Sequence, residues 1–239
     1  MKGSQPFMNE TIRKRKSIRK YEPTPLDTTK LEWVQEQIAA VKPLYPNIRY
    51  KVEIVSKTKG LFNVKAPHYL IFSSEEMDGY YENIGFIGQQ LDLILSENEI
   101  GTCWLGGSKP TENEKSALPY VIAMSFGTPN EPLHRGLSEF KRKSLSVISM
   151  GEDPRLETAR LAPSAMNSQN WFFVVESGKI HCYRKKVNPI VGLMLERMNK
   201  IDMGIAIYHI AADSDSFKFT KAKVVPERRG YVYAGTVLS

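Results

Sequence analysis

The sequence predicts an α+β fold, with helices packed on antiparallel strands. Three observations carry this. Ile48, Tyr50, Val52 and Ile54 alternate with Arg49, Lys51 and Glu53, the period-two pattern of a half-buried strand. Residues 80–96 put Ile84, Ile87, Leu91 and Leu95 on one stripe at helical spacing, with Ile94 beside it. Residues 171–175 and 179–184 flank Ser177-Gly178, a hairpin pattern.

The remaining elements follow in order. Residues 8–18 read as a short helix. Asp27 is placed to cap a second helix carrying Leu31, Val34 and Ile38, ended by Pro43 and Pro46. Residues 69–72 read as a buried strand. Gly85 and Gly88 in the long helix permit close approach of another element, and Gly101 is placed to stop the chain after that helix. Thr111-Glu112-Asn113-Glu114 is a capping-box pattern. Residues 120–126 form a strand closed by Gly127-Thr128-Pro129-Asn130.

The second half begins near Gly151. Asp153-Pro154 opens a helix that carries Leu156, Ala159 and Leu161 and stops at Pro163. Residues 189–212 are helical, in one piece or two, and residues 231–238 end the chain as a strand. Asn83-Ile84-Gly85 and Asp202-Met203-Gly204 open their apolar helices alike, which points to an internal repeat. Chance similarity between two core helices would give the same match. No Gly/Ser-rich linker separates the halves, so they are expected to pack together.

Composition excludes several classes. The 239 residues suit one large domain or two halves sharing a core, and 41% hydrophobic with 25% charged content is ordinary for a soluble globular protein. No apolar run is long enough to span a bilayer, and the N-terminus has no signal-peptide pattern. The two cysteines, Cys103 and Cys182, form no CxxC and have no histidine at ligand spacing. This argues against a disulfide framework or a metal site and fits a reducing cytoplasm. The net charge of +7 is concentrated at residues 13–20, 141–143, 218–223 and 228–229. Such clusters are solvated surface, a nucleic-acid footprint or a phosphate site. Aromatics are not interleaved with them in an RNA-binding pattern, so a phosphorylated small molecule is the more economical partner.

Two segments carry chemistry. Arg15-Lys16-Ser17-Ile18-Arg19-Lys20-Tyr21 gathers guanidinium forks, ammonium groups and a hydroxyl, all phosphate-binding groups. If extended, it aims Ser17 and Arg19 to one side. Ala162-Pro163-Ser164-Ala165-Met166-Asn167-Ser168-Gln169-Asn170-Trp171 is dense in small residues and side-chain amides. Gln169 offers a donor and an acceptor on one group, the chemistry that reads an imide edge such as a flavin pyrimidine ring. Singly, the first is an ordinary basic helix end and the second a polar turn.

Both segments resemble the signatures of the FMN-dependent nitroreductase family, the second closely. Gly101-Thr102-Cys103-Trp104-Leu105-Gly106-Gly107 resembles the family's turn under the flavin ring, and Arg142-Lys143-Ser144-Leu145 its late basic segment. The resemblance implies a central mixed, largely antiparallel sheet flanked by helices. It implies that Arg15, Lys16, Ser17 and Arg19, with Arg142 and Lys143, hold the FMN phosphate and ribityl chain. Pro163, Ser164, Asn167 and Gln169 would contact the ring and ribityl groups. Backbone at Leu105, Gly106 and Gly107 would face the flavin N5, and Lys65 would lie near the pyrimidine edge.

In the family the two signatures lie close together in one chain, and one FMN site draws them from different subunits. Here half the chain separates them, and Lys42-Pro43-Leu44-Tyr45-Pro46-Asn47-Ile48 stands where the second should be. This implies a divergent branch with two fused halves, residues 1–150 and 151–239, acting as an intrachain pseudo-dimer with one FMN site. The expected function is a ping-pong oxidoreductase. NADH or NADPH reduces the flavin, which passes electrons to a nitroaromatic, quinone or other small acceptor. The expected state is a cytoplasmic monomer or weak homodimer without nucleic acid or membrane partners. The alternative is a non-catalytic flavin-binding protein for sensing or storage. No catalytic side chain and no metal ligand is assigned.

Overall fold

The computed structural model of the chain describes residues 5–60, 64–111, 116–188 and 192–238. Residues 112–114 of the capping-box pattern and the start of the helix expected from 189 lie outside them. In chain order the elements are α1 (Gln5–Lys14), α2 (Thr28–Ala40), β1 (Tyr50–Val55), β2 (Thr58–Gly60), β3 (His68–Ser74) and α3 (Tyr80–Glu97). There follow β4 (Gly101–Leu105), β5 (Ser108–Pro110), β6 (Tyr120–Gly127), α4 (Leu145–Ile148), β7 (Ser149–Met150) and α5 (Leu156–Leu161). Then come β8 (Trp171–Glu176), β9 (Lys179–Lys185), α6 (Leu193–Ala212), β10 (Lys218–Thr220) and β11 (Tyr231–Leu238). Short 3-10 turns cover Leu137–Glu139 and Ala165–Asn167.

The fold is α+β. Its strands form a four-stranded sheet in the order β1-β3-β6-β4, a five-stranded sheet in the order β10-β11-β9-β8-β7, and a β2-β5 ribbon. Every pairing is antiparallel except β7 with β8. One continuous core joins the halves: Val34, Phe72 and Leu91 belong to the same apolar cluster as Trp171, Phe173 and Ile205. The expected boundary at 150/151 falls at the end of β7, which pairs with β8 of the second half.

Local chemistry accounts for the elements. Asp27 caps α2 by accepting from Lys30 N at 2.8 Å. Ser177 and Gly178 both adopt positive φ (51° and 72°), as a two-residue hairpin turn between β8 and β9 requires. α6 is one continuous helix.

Two expectations are corrected. The first helix ends at Lys14, not 18, because Arg15 and Tyr21 form bridges to His134 and Pro129 that draw the intervening residues out straight. Gly101 does not stop α3. Asn98 caps it, Glu99 makes the turn at φ 60°, and Gly101 opens β4. Glycine is required at 101 for a different reason: a Cβ there would sit 2.8 Å from the side chain of Ile18. The short strands β2, β5 and β10 carry too few residues for a periodic signal and are absent from the sequence reading.

α3 and α6 cross at the centre and make the most extensive contact of any two elements. The crossing is reciprocal. A Cβ on Gly85 would overlap the carbonyl oxygen of Ile201, and a Cβ on Gly204 would overlap that of Glu82. In both pairs the glycine lies three residues after the carbonyl that faces its partner. Side chains two residues before each glycine repeat the relation. Asn83 Oδ1 accepts from Tyr45 N at 2.9 Å, and both carboxylate oxygens of Asp202 lie 3.1 Å from Ala165 N.

Candidate functional site

A cleft of about 500 Å³ lies between the extended segment after α1, the loops around 131–142, and the loop after α5. One wall is cationic. Arg15 leaves α1 fully buried and pairs through Nε with Asp92 Oδ2 of α3 at 2.9 Å, both side chains being 1% exposed. Asp92 also accepts from Gln89 Nε2 at 2.7 Å and from the Thr102 hydroxyl, so the buried pair is held on several sides. Arg15 Nη2 reaches Ser17 Oγ at 3.3 Å. Ile18 N donates to Thr102 O at 2.8 Å, which pins the segment against β4 and presents Lys16, Ser17 and Arg19 to the cleft.

Glu131 organises the next stretch. Its Oε1 accepts from the backbone N–H of Arg19 (2.7 Å) and Lys20 (3.0 Å), and its Oε2 lies 3.4 Å from Lys16 Nζ. Burial acts to raise this carboxyl, but those hydrogen bonds and the Lys16 charge outweigh it and hold the group below the usual carboxylate range.

Arg135 and Arg142 complete the wall. Arg135 donates to Arg15 O at 3.0 Å, and its guanidinium stacks 3.6 Å from the Phe140 ring centroid. Burial and then the Arg15 charge push it down to about 10. Burial, then Arg135, Arg15 and Arg160, push Arg142 down to about 9. Burial is the larger cause, and crowding of like charge adds to it: six cations line the cleft against two carboxylates, Glu131 and Glu139. Such a site favours an anion of more than one charge.

The other wall is the loop after α5, where Pro163, Ser164, Met166 and Asn167 face the cleft. Met166, Asn167 and Gln169 have positive φ (51°, 54° and 47°), strained for residues with side chains. Several bonds hold the loop. Asp202 anchors Ala165 N, Ser164 Oγ accepts from Gln169 N at 3.0 Å, and Asn167 Nδ2 donates to Lys141 O at 2.7 Å. Arg142 Nη1 donates to Asn167 Oδ1 at 2.5 Å, so the two walls touch.

Of the expected site residues, the structure brings Arg15, Lys16, Ser17, Arg19, Arg142, Pro163, Ser164 and Asn167 to one cleft. Gln169 and Lys143 stand behind it. Gln169 is buried and spends its amide on the protein, accepting from Lys143 N at 2.7 Å and donating to Asn167 O at 3.0 Å. Lys143 Nζ donates to Ser168 O and Gln169 O. Leu105 at the end of β4, and Gly106 and Gly107 in the turn to β5, do not line the cleft; Gly106 faces Met198 of α6. Lys65 is exposed and also outside it.

Sequence reasoning missed Arg135, Glu131 and Met166 and gave Lys141 no role in the site. Arg135 stands in His134-Arg135-Gly136 with no basic neighbour, and only the pairing of Arg15 with His134 brings it in. The histidines serve structure: His68 accepts from Leu26 N, His181 bonds Thr236, and His209 bonds Thr158 O. Cys103 and Cys182 are buried and unbridged. Among the described residues no group of three His, Cys, Asp or Glu could hold a metal, and no helix is long and apolar enough to cross a membrane.

Residues 8–214 match the family described as "Putative TM nitroreductase". The chain belongs to this family. It is therefore an enzyme of the nitroreductase kind, an oxidoreductase. Its fold is similar to that of a putative nitroreductase from Thermotoga maritima, at 21% identity and a TM-score of 0.64, over 96% of this chain and 91% of that one. Partial likenesses include an FMN-dependent nitroreductase from Clostridium difficile (17% identity, 55% of this chain and 93% of that one, TM-score 0.45). Another is a putative NADH oxidase from Clostridium acetobutylicum (16% identity, 61% of this chain and 99% of that one, TM-score 0.45). No curated protein matches this nitroreductase-family chain.

Proposed function

We propose that the cleft binds the phosphate and ribityl chain of FMN and that the protein is an NAD(P)H-dependent flavin oxidoreductase. The observation that carries this is the convergence of two segments far apart in the chain, one cationic and one rich in hydroxyls and amides, on a single cleft. The donor chemistry fits. Guanidiniums at Arg15, Arg19, Arg135 and Arg142 suit a phosphate dianion, and Ser17, Ser164 and Asn167 suit hydroxyls and carbonyls. Bound FMN would accept hydride from NADH or NADPH and return electrons to a nitroaromatic, quinone or other small acceptor in a ping-pong sequence. The chain's own part is to bind and orient. Arg142 joins the cationic wall to Asn167, and the strained loop presents Ser164 and Asn167 in a set geometry.

The same reading takes the halves, near 1–150 and 151–239, as a pseudo-dimer with one flavin per chain. The reciprocal Gly85 and Gly204 contacts support it, as do the matching Asn83–Tyr45 and Asp202–Ala165 bonds. Where Ala165 stands in the second half, the first has Tyr45, whose ring packs on Gly79 and lies 5.9 Å from Phe219. That filling favours a single site, and with it a monomer or weak homodimer. Unbridged cysteines fit the cytoplasm.

Anaerobic mixing of FMN-loaded protein with NADH and with NADPH tests the reading. Bleaching of the flavin band near ~450 nm by either nucleotide supports hydride transfer. Flavin that binds and is reduced by neither would make the protein a flavin store or sensor.

A further inference from the structure

The loop facing the cleft is strained, and something must hold it where it begins. We infer that Asp202 is a positioning residue, which holds the flavin-facing loop through the N–H of Ala165; this rests on the FMN reading above. Both Asp202 carboxylate oxygens lie 3.1 Å from Ala165 N. Asp202 sits on the central helix α6, is 4% exposed, and forms no ion pair among the described residues. Among the described residues Ala165 N is the one hydrogen-bond donor to it. Burying an acid costs stability, and here a single backbone hydrogen bond offsets that cost.

The bond serves the loop. Ala165 begins the turn whose next residues, Met166 and Asn167, take positive φ, with Gln169 following. Ser164 and Asn167, on either side of the anchored N–H, line the cleft. Backbone in such conformations persists only when its surroundings over-determine it. Arg142, Lys143 and Gln169 hold the far end of the loop, whereas Asp202 alone ties its beginning to the central helix. Burial keeps the Asp202 carboxyl largely neutral at neutral pH, pushed up to about 8, so a carbonyl oxygen remains to accept the N–H. An asparagine would present the same acceptor.

The fold contains its own control. Asn83 holds Tyr45 N in the first half by the matching bond from α3, yet residues 43–48 do not line this cleft. Removing either side chain strips one buried hydrogen bond from a central helix. Only one of the two bonds supports the cleft.

FMN titration by fluorescence quenching, with thermal melts of the same samples, tests the inference in wild type, Asp202→Asn, Asp202→Ala, Ala165→Pro and Asn83→Ala. Asp202→Ala is expected to weaken FMN about tenfold or more, and Asp202→Asn to stay within about threefold of wild type. Ala165→Pro removes the donor instead and is expected to weaken FMN as Asp202→Ala does. The backbone before it allows proline, because Ser164 already has φ −146° and ψ 158°, and the ring Cδ, standing where the N–H was, pushes against the Asp202 carboxyl and so breaks the anchor from the loop's side. This variant keeps the test open if Asp202→Ala does not fold. Asn83→Ala is expected to lower the melting temperature with FMN affinity unchanged. Wild-type affinity in Asp202→Ala or Ala165→Pro would overturn the inference, as would equal weakening by Asn83→Ala. Absence of FMN binding by the wild type would overturn the functional reading itself.

Discussion

Arg142 donates through Nη1 to Asn167 Oδ1 at 2.5 Å, and this bond joins the cationic wall of the cleft to its polar wall. Arg142 also reaches Leu161 O at 3.3 Å, so one guanidinium spans the end of α5 and the loop after it. Burial and then the like charges of Arg135 and Arg15 act on the same guanidinium, which lines the cleft beside them.

That geometry makes Arg142 irreplaceable by lysine. Arg142→Lys keeps the charge but loses the planar fork. FMN affinity is expected to fall about tenfold in Arg142→Lys and further in Arg142→Ala, read by fluorescence titration. Equal affinity of Arg142→Lys and wild type would count against the fork.

Asp92 is expected to matter for stability more than for binding. Removing one partner of a buried ion pair leaves the other charge uncompensated, at a cost of about 3–5 kcal/mol. Asp92→Ala should lose that much in urea unfolding, because Arg15 is 1% exposed. A loss under about 1 kcal/mol would mean that Arg15 finds another partner or moves to solvent.

Gly85→Ala and Gly204→Ala should both destabilise, although alanine is the better helix former by about 1 kcal/mol. Each new methyl would meet a backbone carbonyl of the facing helix, which no side-chain rotation can relieve. Thermal melts should show a large fall for each, similar in size because the contacts are reciprocal. An unchanged melting temperature for either would mean the helices cross less closely.

His209 gives the protein acid sensitivity. Burial, above all other causes, drives its imidazole from 6.5 down to about 3. The unfolded chain therefore binds the proton more readily than the folded one between those values. Stability is full above pH 6.5 and is lost as pH falls through this window, by up to about 1.4 kcal/mol per pH unit. The urea midpoint should drop between pH 7 and pH 5 less steeply in His209→Gln than in wild type. Equal slopes would mean that other groups carry the acid response.

Much of this was legible in the sequence where local chemistry decides structure. Asp27 capped its helix, Ser177-Gly178 made its hairpin, and the alternation at 48–54 marked β1. The matching Gly85 and Gly204 were visible as a pattern, and the crossing of α3 with α6 gives them a physical reason. What could not be read depended on distant partners. Gly101 looks like a helix stop, but the packing of Ile18 is what excludes a side chain there. Arg135 is unremarkable until the bridge from Arg15 to His134 places it against Phe140. Gln169 reads as a ligand-binding amide, and only its bonds to Lys143 and Asn167 show it turned inward.

The most direct test of the central claim is a calorimetric titration of FMN into flavin-free protein, in wild type and in Arg135→Ala. The account predicts saturation at one FMN per chain, with affinity weakened in Arg135→Ala because that guanidinium lines the same cleft. Saturation at two per chain, no saturable binding, or an unchanged affinity in Arg135→Ala would contradict it.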